Sequence, residues 1–391
     1  MTTQPHLPLA GYRIIDMTRV LSGPFCSMLL GDLGADVVKI EAPDGDPVRR
    51  QGAGREGLSW YFAAFNRNKR SIVLDLKSAK DRGTFTALLR GADALVDNFR
   101  PGVLTRMGFD AAALQAIRPG LVTCSITGFG ADGPYRNRPA FDFIAQAMSG
   151  FMSTNGRSDE PPLRSGLPIS DLVAGLYGAF GVTAALLRRE KTGSGDHVDV
   201  SLTNSMISML AYIGSTYFAT GEAPPRTGND HPIAAPYGLF RTKDEEIAIA
   251  PPDDTFFARL ADALDLPELK TDPNFTDNPH RVRNRARLTA LIEAKLMTHD
   301  AAHWVAHLNA AGVPCGPVYG LAGVFADPQV QSQEMAIDVP HPGHGIVRML
   351  GFPMKFANAP CRVRYPAPEL GQHAAEILAE LDGPEQTAKK A

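Results

Sequence analysis

Residues 12–41 read YRIIDMTRVLSGPFCSMLLGDLGADVVKIE, and this stretch decides the fold. It opens with a short apolar strand pattern and closes with a second one. Between them lies a helix pattern with Ser22 near its cap, Pro24 in its first turn and Gly34 at its end. Apolar strands joined by helices predict a parallel sheet that helices cover on both faces. The alternation continues in the apolar segments 71–76, 93–99 and 121–127.

The composition changes after the first 220 residues. Residues 221–236, GEAPPRTGNDHPIAAP, are rich in proline and glycine and predict a linker. We therefore predict a large α/β domain with a Rossmann-like parallel sheet, which begins in residues 1–220. A smaller α+β domain would follow in residues 237–325, and a return segment, 326–391, would complete the large domain.

The overall composition is that of a globular enzyme, with 44% apolar and 21% charged residues. The net charge is −3 and basic residues form no cluster, which argues against a nucleic-acid partner. The four cysteines lie far apart without zinc-ligand spacing, so we predict reduced thiols, no metal site and a cytoplasmic location. The N-terminus lacks an export-signal pattern, and the uncharged run 172–187 is too short for a membrane span, so we expect no membrane partner.

Two sequence patterns imitate known ligand sites. The segment GFGADG, residues 128–133, fits the GxGxxG dinucleotide pattern, but Pro134 follows it and no helix opens there to receive a pyrophosphate. We therefore predict a turn. His299, His303 and His307 have the four-residue spacing of metal-binding helices, but without an HExxH motif we interpret them as surface or packing residues.

Asp171 is the one charged residue in a long run of Ala, Gly, Leu, Val and aromatic residues. Local chemistry alone favours a helix N-cap, because aspartate is common at that position and Pro168 lies just upstream. Gly175, Gly178 and Gly181 follow about one helical turn apart and form a stripe without side chains, which lets another backbone or a ligand approach. The pattern therefore predicts an acid at the head of a helix, beside a packed and concave site.

Six motifs in fixed order resemble the type III CoA-transferases. They are TRVLSGPF (18–25), LGDLGADVVKIEAPDGDPVR (30–49), NRNKRSIVLDLK (66–77), DNFRPGVLTRMGF (97–109), SITGFGADGP (125–134) and SDLVAGLYGAFG (170–181). That family includes formyl-CoA, carnitine and succinyl-CoA-dependent transferases, and α-methylacyl-CoA racemase is its relative. The resemblance spans nearly the whole chain and therefore implies the family's fold and type of chemistry.

In this resemblance Asp171 matches the family's catalytic aspartate. A carboxylate is ionised at pH 7 and attacks without a general base. It would attack an acyl-CoA thioester, form a mixed aspartyl anhydride and then an aspartyl-CoA thioester, and pass CoA to an acceptor acid. The substrates implied are an acyl-CoA thioester and a carboxylic acid, with no tightly bound cofactor. The resemblance also implies an interlocked homodimer with Asp171 near the interface.

The resemblance further assigns contacts with CoA, whose phosphates need cations or amide donors. The matching positions are Arg19, Val20, Leu74, Lys77, Asn98, Phe99, Arg100 and Arg106. A lysine that the family uses for the nucleotide falls at Pro139, where the neighbouring Arg138 is a substitute. Arg49 is assigned to the distal carboxylate of a dicarboxylic acid.

Departures from the formyl-CoA type narrow the expected substrates. This chain has Arg19, Val20 and Leu21 where that type has His, Val and Gln, and its linker region lacks the glycine-rich loop. Formate and oxalate are therefore doubtful substrates, and the motifs look closer to succinyl-CoA-dependent enzymes acting on glutarate or itaconate.

Two alternative functions stay open on the sequence. A 2-methylacyl-CoA racemase would need a histidine where this chain has Phe141, and phenylalanine cannot carry a proton. A non-catalytic CoA-binding protein could dispense with Asp171, so the presence of this residue argues against that function.

Overall fold

The computed structural model describes residues 7–55 and 57–382. Its strands, in chain order, are β1 (Arg13–Asp16), β2 (Asp36–Glu41), β3 (Gly54–Arg55), β4 (Leu58–Ser59), β5 (Lys69–Val73), β6 (Ala94–Asp97), β7 (Val122–Thr127), β8 (His197–Ser201), β9 (Gly238–Arg241), β10 (Glu246–Ile249), β11 (Cys315–Pro317), β12 (Ala336–His341) and β13 (Gly345–Leu350).

The helices are α1 (Ser22–Asp32), α2 (Trp60–Asn66), α3 (Ala79–Arg90), α4 (Val103–Arg106), α5 (Ala111–Ile117), α6 (Asp142–Met148), α7 (Phe151–Thr154), α8 (Ile169–Thr192), α9 (Leu202–Ser208), α10 (Ala211–Thr220), α11 (Asp254–Ala263), α12 (Asn278–Arg283), α13 (Arg285–Leu296), α14 (Ala301–Ala310), α15 (Leu321–Ala326), α16 (Pro328–Ser332) and α17 (Ala374–Asp382). Short 3-10 helices cover Pro47–Arg50 and Pro267–Lys270.

A six-stranded parallel sheet runs in the order β5–β2–β1–β6–β7–β8. This confirms the parallel α/β sheet that the alternating pattern predicts. Side chains alternate along each strand, so Ile14 of β1 joins an apolar core with α1 and α8, whereas Ile15 joins a second core with α3 and α5. The helices therefore cover both faces, and the carboxyl ends of all six strands lie at one edge.

The described chain divides into two compact units. The first unit contains residues 7–151, 164–210 and 328–382, and it holds the parallel sheet. The second unit contains residues 152–163 and 211–327, and its antiparallel sheet has the order β11–β10–β9. Helices α11, α13 and α14 surround the apolar core of this second unit.

The domain limits that we predict from the proline- and glycine-rich linker stay a prediction. The compact units differ from them in detail, because residues 152–163 and 211–220 belong to the second unit. Near the C-terminal end, the predicted strand GIVRML is β13, which pairs with β12, and the predicted closing helix is α17. Ile377 of α17 lies in the second core of the parallel sheet, and residues 328–382 belong to the first unit.

Helix α8 has 24 residues and is the one described helix long and apolar enough to cross a membrane, by length and composition. The argument that residues 172–187 are too short for a span therefore does not extend to the whole helix. Half of the apolar window of α8 is buried, and Ala174, Val182 and Leu186 join the core of the first unit. The core helix of a globular protein has the same properties, so α8 alone does not indicate a membrane protein.

Candidate active site

Asp171 lies in the first turn of α8, but it does not cap the helix. The N-cap position is Pro168, which provides no side-chain hydrogen bond. Asp142 of α6 takes that role instead, because its carboxylate accepts hydrogen bonds from the backbone N–H and the hydroxyl of Ser170, both at 2.9 Å. The interpretation of Asp171 as an N-cap is therefore wrong, and its carboxyl group is left available for chemistry.

The glycine stripe of α8 brings α1 against the first turns of the helix. A Cβ atom on Gly175 would lie 2.7 Å from the Ser22 carbonyl oxygen and 2.9 Å from Cδ1 of Phe25. One on Gly178 would lie 3.0 Å from Sγ of Cys26. These contacts confirm the close backbone approach that the glycine spacing predicts, and they place Ser22 within hydrogen-bonding reach of Asp171.

The carboxyl group of Asp171 is hard to ionise. Burial and, to a smaller extent, the negative charge of Asp142 together raise its pKa to about 7, although a hydrogen bond with the Ser22 side chain opposes both effects. The expectation of a carboxylate fully ionised at pH 7 therefore needs correction, since both protonation states are populated near neutral pH. When ionised, such a desolvated carboxylate is a stronger base and nucleophile than one in water.

Three aromatic rings form a wall beside this carboxyl group. Phe65 contacts Phe25 and Tyr61 edge-on, with ring centroids 5.9 Å apart in both pairs. Burial raises the pKa of Tyr61, and the charges of Asp171 and Asp46 raise it further, so the hydroxyl stays protonated. The wall lies close to Asp171, and Tyr61 adds a hydroxyl group that the sequence analysis did not identify.

The loop between β1 and α1 is held in a strained shape by buried charges. Val20 has a φ of 70°, which a β-branched residue rarely adopts. Its N–H donates to Oδ1 of Asp46 at 3.1 Å, and the other carboxylate oxygen of Asp46 lies 3.1 Å from Nζ of Lys39. Lys39 also donates to the Thr18 carbonyl at 2.7 Å. These contacts stabilise a conformation that otherwise costs about 1–3 kcal/mol.

Four of the predicted CoA contacts meet where the sheet reverses its strand order. The chain passes from β1 to β2 and β5 on one side and from β6 to β7 and β8 on the other, and ligands bind at such a switch point. Arg19 and Asn98 follow β1 and β6, and their main chain and side chain exchange hydrogen bonds of 3.0 and 2.7 Å. The Arg19 guanidinium lies 5.5 Å from the Phe99 ring, and Val20 is the next residue of the loop.

The other predicted CoA contacts are spread over several loops and helix α4. Leu74 is buried directly after β5, whereas Lys77, Arg100, Arg106 and Arg138 are exposed. The Arg138 guanidinium stacks on the ring of Tyr135 at 3.7 Å. Among the described residues, Arg19 and these four cations form no ion pair, so their charges are available for an anion. These CoA contacts stay a prediction.

A cavity of about 660 Å³ lies behind the Asn98–Arg100 loop, on the face of the sheet away from α8. Phe99 and Arg100 line it, and Asp97 is buried in its floor. Burial raises the pKa of Asp97 to about 6, although Ser125 Oγ–H and the Phe99 N–H donate to its carboxylate. This cavity adjoins the predicted nucleotide loop, and Asp171 does not line it.

Arg49 has little freedom to bind a substrate. Its guanidinium donates twice to Glu41, at 2.8 and 2.6 Å, and once to the Pro368 carbonyl at 3.0 Å. It also stacks 3.7 Å above the centroid of the Phe62 ring. The assignment of Arg49 to a distal carboxylate stays a prediction that this geometry does not favour.

The two imitation motifs have the local structures that we predict. Gly130 and Gly133 take positive φ values of 91° and 85°, and the next described helix begins only at Asp142. The rings of His299 and His303 stack on the surface at 4.1 Å. In the described part of the chain no group of three or more His, Cys, Asp or Glu residues could hold a metal ion.

A family model for CoA-transferase family III matches residues 9–374. The chain belongs to this family. It is 41% identical to an acetyl-CoA:oxalate CoA-transferase of Acetobacter aceti over 98% of each chain. It is 35% identical to a succinate–glutarate CoA-transferase of Agrobacterium fabrum, over 99% of this chain and 100% of the relative. Both relatives are named as CoA-transferases of dicarboxylic acids, and this chain is a family III CoA-transferase.

The fold of this CoA-transferase matches that of a solved relative. A crystal structure of a CAIB/BAIF family protein from Brucella suis is 39% identical and superposes with a TM-score of 0.87. The match covers 96% of this chain and 100% of that one. The mixed α/β fold with its parallel sheet is therefore the fold of the family.

Proposed function

We propose that this enzyme transfers CoA from succinyl-CoA, or a similar acyl-CoA, to a dicarboxylic acid, with Asp171 as the covalent carrier. One observation carries the proposal: the partly buried carboxyl group of Asp171 lies near Ser22 and an aromatic wall, and no described Lys, Arg or His forms an ion pair with it. A carboxylate that served only the fold would gain a cation or a set of donors under such burial.

The proposed reaction begins with the ionised form of Asp171. One carboxylate oxygen attacks the thioester carbonyl, the C–S bond breaks, and CoA leaves as a thiolate. The thiolate then attacks the aspartyl carbonyl of the mixed anhydride and releases the donor acid, which leaves an aspartyl-CoA thioester. The acceptor carboxylate displaces CoA in the same way, and CoA attacks the acceptor's carbonyl to give the new acyl-CoA and free Asp171. No net proton or electron is exchanged.

The surrounding residues have distinct parts in this proposal. The wall of Phe25, Phe65 and Tyr61 limits hydrolysis of the anhydride by keeping water away. The exposed cations Arg19, Lys77, Arg100, Arg106 and Arg138 bind the phosphates of CoA. Binding energy from this remote nucleotide offsets part of the cost of forming the anhydride. CoA thioester is thus a substrate, and no tightly bound cofactor takes part.

The acceptor acid is proposed to be a dicarboxylate. One relative is named for oxalate and another for glutarate, so both belong in the test. The expectation that oxalate is a doubtful substrate loses its support, because it rested on departures from the formyl-CoA type alone. Acetyl-CoA joins succinyl-CoA as a donor to be tried for the same reason.

We also propose that the enzyme works as an interlocked homodimer in the cytoplasm. Leu176, Phe180 and Leu187 lie on one side of α8 and are each more than half exposed. Phe141, next to Asp142 at the start of α6, is also exposed. Apolar side chains of this size on the helix that carries Asp171 favour an interface that brings the partner chain near the active site.

The decisive experiment incubates the enzyme with succinyl-CoA or acetyl-CoA and a panel of acids: oxalate, glutarate, itaconate and formate. New acyl-CoA species are followed by mass spectrometry, and borohydride added during turnover reduces an aspartyl thioester to a detectable alcohol. Asp171→Asn should lower the rate by about a thousandfold or more and abolish the trapped adduct. The matched control is Asp159→Asn, an exposed aspartate in the second unit.

Two results would contradict the proposal. One is full transfer activity in Asp171→Asn, and the other is exchange of the α-proton of a 2-methylacyl-CoA with solvent deuterium in the absence of CoA transfer. The second result would favour the racemase, although Phe141 stands where a racemase needs a proton-carrying histidine.

A further inference from the structure

Asp142, the first residue of α6, is a second buried carboxylate close to Asp171. Its Oδ1 accepts hydrogen bonds from the backbone N–H and the hydroxyl of Ser170, and its Oδ2 accepts one from Nε2 of Gln146 at 2.7 Å. All three partners are donors, which fits an ionised carboxylate. Among the described residues no Lys, Arg or His forms an ion pair with Asp142, so its charge is uncompensated.

Through these contacts α6 holds the chain that leads into α8. The Gln146 side chain accepts a hydrogen bond from the Ser165 N–H at 2.8 Å, and Asp142 accepts from Ser170, the residue before Asp171. Pro168 at the N-cap position offers no side-chain acceptor. The first-turn N–H of Ser170 would therefore be buried without a partner if Asp142 were absent.

The same contacts change the electrostatic surroundings of Asp171. A helix N-terminus normally stabilises a carboxylate and weakens it as a nucleophile. Asp142 accepts a hydrogen bond from one of the free N–H groups at that terminus and adds a negative charge near Asp171. The other groups that face Asp171 are the Ser22 hydroxyl from α1 and the Tyr61 phenol from α2, and α9 has no titratable residue.

We propose that Asp142 is a positioning residue for the transfer reaction, which fixes the first turn of α8 and whose charge makes Asp171 a stronger base and nucleophile. The inference rests on the proposed function, since it concerns the same aspartate. Helix capping does not require a negative charge, because a neutral acceptor such as Asn, Ser or Thr would cap the helix equally well. The charge of Asp142 therefore has a role beyond capping.

The test is Asp142→Asn, which keeps an acceptor for Ser170 and removes the charge. The protein is labelled with ¹³C-carboxyl aspartate, Asp171 is assigned by its loss in Asp171→Asn, and its titration is followed by NMR. The midpoint of Asp171 should fall by about one pH unit or more in Asp142→Asn. The acidic limb of the pH profile of kcat should move to lower pH by the same amount, while KM for the acyl-CoA stays the same.

A purely structural role would lower kcat without moving either midpoint, so unchanged midpoints in a folded Asp142→Asn protein would overturn the proposal. If Asp142→Asn does not fold, Asp142→Ser takes its place, because serine also provides a short uncharged acceptor. The same criterion applies to it. Asp132→Asn, an exposed aspartate of the same unit, is the matched control and should leave both midpoints in place.

The NMR midpoint needs no turnover, so it separates this inference from the proposed function. A shifted midpoint in a protein that transfers CoA to none of the acids would support the coupling of the two carboxyl groups and reject the proposed function. Transfer activity with an unmoved midpoint would support the proposed function and reject the inference.

Discussion

Asp16 is fully buried and Asp171 is partly buried in the first unit, and the fold shifts the pKa values of their carboxyl groups in opposite directions. Asp16, at the end of β1, lies 3.0 Å from Nζ of Lys69, and Lys39 acts on it as well. Burial raises the pKa of Asp16, but Lys69, Lys39 and two hydroxyl hydrogen bonds outweigh that effect and lower the pKa to about 2. Asp171 is less buried and has no such cation, and burial together with the charge of a neighbouring carboxylate raises its pKa to about 7. Burial alone therefore does not decide the charge, and the presence of buried cations is what distinguishes the two aspartates.

The largest expected effect is the loss of stability in Asp16→Asn. The change leaves Lys69 and Lys39 as buried charges with one acceptor fewer, which we expect to cost about 3–5 kcal/mol in the free energy of unfolding. Urea denaturation at pH 7 measures this difference. Because the folded pKa of Asp16 lies below its unfolded value of about 4, the contribution is present above that pH and is lost as the pH falls towards about 2. A loss that stays constant on acidification would contradict the ion-pair explanation.

Asp171→Asn should change the free energy of unfolding in the opposite direction. The folded pKa of Asp171 lies above the unfolded value, so ionisation destabilises the native state increasingly as the pH rises from about 4 to 7. The variant removes that cost and should be more stable than the wild type at pH 8, by up to about 4 kcal/mol, with no difference below about pH 4. Thermal unfolding at the two pH values measures it. Equal stability at pH 8 would show that Asp171 has more compensation than the structure indicates.

Gly175→Ala tests the close approach of α1 and α8 that places Ser22 beside Asp171. The new Cβ would meet the Ser22 carbonyl at 2.7 Å, so the two helices must separate. Such overpacking costs about 1–3 kcal/mol of stability, and we expect kcat to fall with it. The control is Gly166→Ala, where nothing lies within 4 Å of the new atom. Wild-type behaviour of Gly175→Ala in both assays would rule out this packing as the cause of the site geometry.

The smallest expected effect is that of an exposed cation. Arg106→Ala removes one charge from the predicted nucleotide loop, which should raise KM for the acyl-CoA about threefold to tenfold at low salt and leave kcat nearly unchanged. Arg283→Ala, a basic residue of α12 in the second unit, is the control. An equal effect of the two substitutions on KM would show that Arg106 does not belong to the proposed CoA site.

The sequence is most informative where a property depends on neighbours along the chain. Strand and helix patterns predict the parallel sheet, and the glycine spacing predicts the contact between α8 and α1, because both depend on periodicity. The charge state of Asp171 depends first on its burial and then on Asp142 and Ser22, which are distant in sequence, so the expectation of a fully ionised carboxylate is wrong. The capping role of Asp142 and the hydrogen bond from Arg49 to the distant Pro368 carbonyl were missed for the same reason.

The paired hydrogen bonds between Arg19 and Asn98 join the loops after β1 and β6 before any ligand arrives. An anion that settles there meets a main chain whose shape is already fixed, so the entropy lost on association comes mainly from flexible side chains. In the proposed CoA site, Asn98 would therefore affect affinity through rigidity as well as through direct contact. A shorter side chain in place of Asn98 would loosen the loops after β1 and β6 and slow the association of the anion, although it removes no positive charge.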